Sequence, residues 1–231
     1  MFTRHRVIAL AVAAALCAPM AAAAQDSRFN YIEGGIVAGF VNDVETSGTV
    51  AGAGPFELET DAGGGGFIGG AFEVSETFHL FGEYALIGQE LEVSDGVDTI
   101  EGEFDVVRWR LGVGYAHPIS DRTTFYGRLS YDSLEFKDVQ VAGFDLDTDA
   151  DGSGAGGEIG LIWAATPTID LQGHVRYTSV GEVADSGSDA FDDDILVGVN
   201  GRWNFRPNFA LVTGYELGKI TTWNLGLRYS F

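Results

Sequence analysis

Cysteine is almost absent from this 231-residue chain: the one thiol, Cys17, lies near the N-terminus and cannot form an internal disulfide. Disulfide scaffolds, iron–sulfur clusters and zinc fingers are therefore excluded. Bases are scarce too, with 13 Lys and Arg against 34 Asp and Glu, and the formal net charge is −21. A nucleic-acid-binding surface needs the opposite sign, so no nucleic-acid partner is expected. Proline is limited to five residues, and past residue 24 no apolar run is long enough for a membrane helix. What is plentiful is glycine, 33 residues, within a chain that is 45% hydrophobic. That is too apolar for an acidic disordered protein. The length suits one domain, or a single large all-β barrel.

The first 24 residues read as an address. Arg4 and Arg6 precede an apolar run over residues 7–16, followed by Pro19 and the small residues 21–24. A positive start, a short apolar stretch and an A-x-A site make a secretory signal peptide. Cleavage is expected after Ala24, leaving Gln25 first and a barrel domain over 25–231. An uncleaved membrane anchor is the alternative, disfavoured by the alanine content and Pro19.

The remaining chain repeats with period 2, the period of a strand with two unlike faces. Trp223, Leu225, Leu227, Tyr229 and Phe231 alternate with Thr222, Asn224, Gly226, Arg228 and Ser230. The same pattern predicts ten strands, at 29–41, 64–74, 78–88, 104–117, 122–135, 154–165, 169–180, 195–204, 209–217 and 221–231. Short connections alternate with long ones (42–63, 89–103, 136–153 and 181–194), and only the connection at Gly218-Lys219 departs from the rule. Pro118, Pro167 and Pro207 fall in the short turns, where no ladder donor is lost. Short turns on one side and long loops on the other, with strands of about ten residues, fit an antiparallel up-and-down transmembrane β-barrel. The alternative architecture is eight strands with an irregular 205–220 region.

Two patterns assign the faces. Aromatics of the apolar face fall in two bands. Phe72, Phe78, Tyr115, Phe125, Trp163, Trp203 and Phe209 lie beside the short turns; Phe40, Tyr84, Trp109, Tyr131, Tyr177 and Trp223 lie toward the long loops. Such bands suit the two membrane interfaces. The polar face carries Glu33, Glu73, Glu83, Asp132, Glu158, Asp170 and Glu216 against Arg108, Arg110, Arg128, Arg176, Arg202 and Arg228, with His174 among them. Near-neutrality is what a narrow lumen imposes, because an unpaired buried ion costs several kcal/mol. The net charge sits elsewhere: the four long loops hold 22 acids and a single base, Lys137.

With its last strand ending at Tyr229 and Phe231, the chain resembles small outer-membrane β-barrel proteins of Gram-negative bacteria. That strand looks like the signal read by the barrel-assembly machinery. The opening Asn30-Tyr31-Ile32-Glu33-Gly34-Gly35 is similar to the mature N-terminus of a plant-pathogen barrel family once proposed as an immunity elicitor. The resemblance implies an outer-membrane location, contact with lipid and lipopolysaccharide, and the assembly machinery as a partner during biogenesis. It leaves the role open among structural anchors, narrow pores, adhesins and enzymes.

Catalysis is not expected. Barrel proteases and lipid-modifying barrels use a His at the outer rim, whereas His79 and His117 lie beside short turns and His174 is mid-strand. Asp147, Asp149 and Asp151 with Gly152 and Glu158 match the spacing of a calcium loop. No helix flanks them, so at most weak Ca²⁺ or Mg²⁺ binding is expected, and no resident cofactor. The leading expectation is a structural or surface-interaction barrel whose lumen is closed by an Arg/Glu/Asp network. The alternative is a narrow, porin-like channel in which the same arginines line the path.

Overall fold

Backbone groups within a bilayer must be satisfied by the chain itself, and strands achieve this only by closing on themselves. The computed structural model describes residues 28–41, 48–49, 55–60, 62–94, 99–141, 144–145, 150–180 and 193–231. The expected signal peptide, with Cys17, lies outside them, as do Asp147 and Asp149.

Ten strands form the barrel: β1 (Tyr31–Val41), β2 (Gly63–Glu73), β3 (Phe78–Ser94), β4 (Thr99–Ser120), β5 (Thr123–Val141), β6 (Ala150–Ala164), β7 (Ile169–Ser179), β8 (Asp193–Arg206), β9 (Phe209–Leu217) and β10 (Ile220–Ser230). Each pairs antiparallel with its sequence neighbours, and β1 pairs with β10 from Tyr31↔Ser230 to Val41↔Ile220. The result is a closed, all-antiparallel, up-and-down barrel of ten strands. The 205–220 region is regular apart from a register shift between Asn204 and Arg206.

Segments 89–103 and 136–153, expected as loops, are largely strand. β3 and β4 stay paired out to Ser94↔Thr99. Acidic residues suggested loop, but each paired rung satisfies two backbone groups that composition ignores. Pro55–Thr60 pairs onto the end of β3, Gly48–Thr49 pairs onto that segment, and Phe144–Asp145 pairs onto the end of β5. At the opposite end the turns are tight. Ser75 Oγ accepts from Phe78 N at 3.1 Å and Thr166 Oγ1 from Ile169 N at 2.9 Å, the local capping that favours Ser and Thr there. Pro118, expected in a turn, occupies the end of β4, where a register shift before Ser120 tolerates its missing N–H.

The apolar face points outward: Leu129 is 69% exposed and Ile195 66%, whereas Glu158 on the opposite face is 4% exposed. All seven aromatics of the turn-side band are exposed outward. A lumen this narrow cannot hold a side chain at every inward position. Large groups therefore lie over glycines. A Cβ on Gly198 would come within 2.2 Å of the His174 ring, and one on Gly160 within 2.6 Å of Tyr126. Replacing Gly198 with Val should displace His174 and cost about 1–3 kcal/mol, read as a lower temperature for loss of the compact, fast-migrating form in unboiled gels.

Candidate functional site

Inward-facing charges from nine strands and the residues before β1 meet in four groups. In the first, Arg110 of β4 grips Glu83 of β3 with two bonds (Nε to Oε2 at 2.8 Å, Nη2 to Oε1 at 2.9 Å) and donates from Nη1 to Glu158 Oε2 of β6 at 2.7 Å. Arg128 of β5 stands 3.6 Å from Glu158 and 3.8 Å from Glu83, donates to His79 Nε2 at 3.2 Å, and lies over the Phe81 ring at 4.5 Å. Strand register makes this cluster: Glu83 is paired with Arg110, and Arg128 with Glu158. Two carboxylates against two guanidinium groups leave it neutral.

The second group converges on Glu216 of β9. Its Oε1 accepts from Arg176 Nη2 of β7 at 2.5 Å and from Arg108 Nη2 of β4 at 3.2 Å, while its Oε2 is 3.0 Å from His174 Nε2. In the third, Arg202 of β8 donates to Asp170 Oδ2 of β7 from Nε at 2.9 Å and Nη2 at 2.5 Å; Asn204 Nδ2 adds a bond at 3.1 Å, and Arg28 approaches Oδ1 to 4.0 Å. The fourth is a pair across the closing seam: Arg228 of β10 contacts Glu33 Oε2 of β1 at 2.7 Å from Nε and 2.6 Å from Nη2, with its guanidinium 3.6 Å from the Tyr31 ring centroid. Bidentate and stacked geometry of this kind is what Arg provides and Lys does not.

Two acidic residues named from the sequence lie apart from these groups. Glu73 is at the turn-side rim, where it accepts from Phe29 N at 3.2 Å. Asp132 is buried; its Oδ2 accepts from Thr178 Oγ1 at 2.7 Å, and its Oδ1 has no hydrogen-bond partner among the described residues. Asp151 is exposed on β6. Among the described residues no cluster of His, Cys, Asp and Glu is arranged to hold a metal ion. Tyr229 is outward and exposed, packed against Phe209 with ring centroids 5.1 Å apart, and Phe231 N donates to Asn30 O at 3.2 Å.

The first strand, predicted over 29–41, begins at Tyr31, and sequence reasoning gave Phe29 no luminal role. Phe29 turns into the lumen, 5% exposed, and stacks on His79 with centroids 3.9 Å apart and planes 11° from parallel. Asn30 Oδ1 accepts from Glu73 N at 2.8 Å, which fixes the entry. The available signal was parity: Phe29 shares alternation with Tyr31 and Glu33. Also missed were two apolar layers. Phe29, Tyr31, Ala71, Phe81, Ala116, Tyr126 and Ile162 pack together on the turn side, and Val37, Ile87, Val106, Leu134, Val180 and Ile220 on the loop side. Most of the charges between them are buried, which strengthens each contact and raises the cost of breaking one. A cavity of about 230 Å³ runs among the charges of the network, its lining also including Gln172 and His174 of β7, Asn200 of β8, and Thr222 and Asn224 of β10.

A closed barrel with an apolar exterior, aromatic bands and a charged, shielded interior defines a transmembrane β-barrel. The chain belongs to the outer membrane protein beta-barrel domain family, whose model matches residues 8–231. Solved structures similar to it include the outer membrane protein OprG from Pseudomonas aeruginosa (15% identity, covering 87% of this chain and 94% of that one, TM-score 0.48). The translocator domain of the autotransporter NalP from Neisseria meningitidis is another (13% identity, 96% and 93% covered, TM-score 0.47). Neisserial surface protein A is a third (15% identity, 87% and 96% covered, TM-score 0.44). Comparison with curated protein sequences gives no match.

Arg110 carries the heaviest share of the first group. Arg110→Met leaves Glu83 and the buried Glu158 facing Arg128 alone and should cost about 3 kcal/mol, seen as a lower denaturant midpoint for loss of the compact gel form.

Proposed function

We propose that this protein is a non-catalytic outer-membrane barrel whose lumen is braced shut, and whose role is carried by its acidic extracellular loops. One contact carries the reading. Arg108 and Glu216 join β4 to β9, strands five apart in either direction around the ring, so the pair crosses the lumen. Every described luminal arginine is engaged with a carboxylate, and apolar layers lie above and below. Locked pairs of this kind favour rigidity over conduction. His79 is buried under Phe29 and His174 is held on Glu216, positions that suit structural roles.

The loops' 22 acids would repel one another and the phosphates of neighbouring lipopolysaccharide. Shared divalent cations relieve both, so lipid, lipopolysaccharide and Ca²⁺ or Mg²⁺ are the partners this reading names. Tyr229 and Phe231 at the closing strand serve as the recognition end for the assembly machinery. A narrow channel is the second reading, favoured by the cavity within the lumen.

In planar bilayers the refolded barrel should be silent, and Arg108→Ala should produce discrete openings. Openings in the unmodified barrel that change with Arg108→Ala would select the channel instead. In lipopolysaccharide-containing membranes a chelator should lower the melting temperature by several degrees; insensitivity would remove the cation-bridged contact.

A further inference from the structure

Charge is not evenly balanced around the lumen. The Glu83–Arg110–Glu158–Arg128 cluster matches two acids with two bases, and Glu33–Arg228 matches one with one. Along the β7–β9 wall, by contrast, Glu216 alone faces Arg108, Arg176 and His174, and Asp170 alone faces Arg202 and Arg28. Each of these two groups holds one guanidinium more than it holds carboxylates. A buried charge without a counterion costs several kcal/mol, so the excess is a standing demand for an anion.

A second observation concerns one of the same arginines. Arg176 is 6% exposed, and its Nε has no hydrogen-bond partner among the described residues, although its Nη2 is bound to Glu216. A guanidinium nitrogen left unmatched in a buried site is rare, because its donor normally finds a partner. Arg176 and Arg108 both line the 230 Å³ cavity, which also carries the amides of Asn200 and Asn224 and extends to Asp194 and Lys219 at the loop end of the barrel. Asp132 lines the same cavity as a further carboxylate, its Oδ2 accepting from Thr178 Oγ1, and the excess of guanidinium lies with the Arg108–Arg176–Glu216 group.

We propose that this cavity is a binding site for a small carboxylate or oxyanion, held by Arg176 and Arg108. Glu216 occupies part of that site as a tethered carboxylate: it already accepts both guanidinium groups on one oxygen, the contact that a free anion would share or take over. Fork-shaped donors in a shielded pocket suit planar carboxylates and tetrahedral oxyanions alike. The site needs entry from one end only. It therefore stands or falls separately from whether the barrel conducts.

The test is titration calorimetry of the refolded full-length barrel with sodium malonate and, separately, sodium sulfate, at constant ionic strength against chloride. Saturable one-site binding is expected, weakened at least tenfold by Arg176→Gln. Glu216→Gln removes the internal competitor and should strengthen binding about tenfold. If that variant loses the compact gel form, Arg108→Gln replaces it and should weaken binding. Binding of malonate alone identifies an organic carboxylate, of sulfate alone an inorganic oxyanion, and of both the shared chemistry. The absence of saturable heat with either salt, or affinity unchanged in Arg176→Gln, overturns the proposal.

Discussion

A ten-stranded ring leaves an interior about as wide as two side chains, and the rest of the structure answers to that limit. Charges placed there have little access to bulk water, so most of them lie against an opposite charge. The Arg108–Glu216 contact across the ring and the Arg110 fork between Glu83 and Glu158 are the direct results. The same limit explains the glycines. Where one strand sends His174 or Tyr126 inward, its neighbour supplies Gly198 or Gly160. The abundant glycine of this chain is thus the complement of its large luminal groups rather than a sign of loose loops.

Strand number, direction and face were legible in the sequence because period 2 is imposed on every rung by the pleat, and in a membrane the outward set must be apolar. Strand ends were less legible. Glu90, Glu92, Glu101 and Glu103 look like loop by charge, yet they sit on paired strands, because above the membrane one acidic face costs little while unpaired backbone costs more. Luminal membership followed from parity, but partner choice did not. Arg108 and Glu216 are 108 residues apart and meet only because the ring places β4 opposite β9. No local pattern encodes a diameter. Phe29 had the luminal parity of its predicted strand, but its stacking on His79 was not legible, because that contact joins residues 50 apart in sequence on different parts of the ring.

The apolar layers change what the ionic layer does. In an open, wet lumen the same arginines would be solvated and mobile. Between Phe29 and Tyr126 on one side and Val106 and Leu134 on the other, they are held in a medium that rewards pairing and penalises any mismatch. The two unbalanced groups on the β7–β9 wall stand out because their surroundings are so fully matched. The lumen is layered by height, with ion pairs at the middle and the stacked Phe29–His79 pair toward the short turns.

The docking of residues 28–30 has a further consequence for how the molecule comes apart. Asn30 is tied to Phe231 and Glu73, and β1 to β10 along their whole length, so the beginning and end of the barrel are the same edge. Most domains loosen from their termini. Here neither terminus of the ring can peel away without opening the seam, which exposes eleven rungs of backbone to lipid at once. Loss of structure has no small first step, and what an ordinary chain would spend in gradual fraying is collected into one barrier.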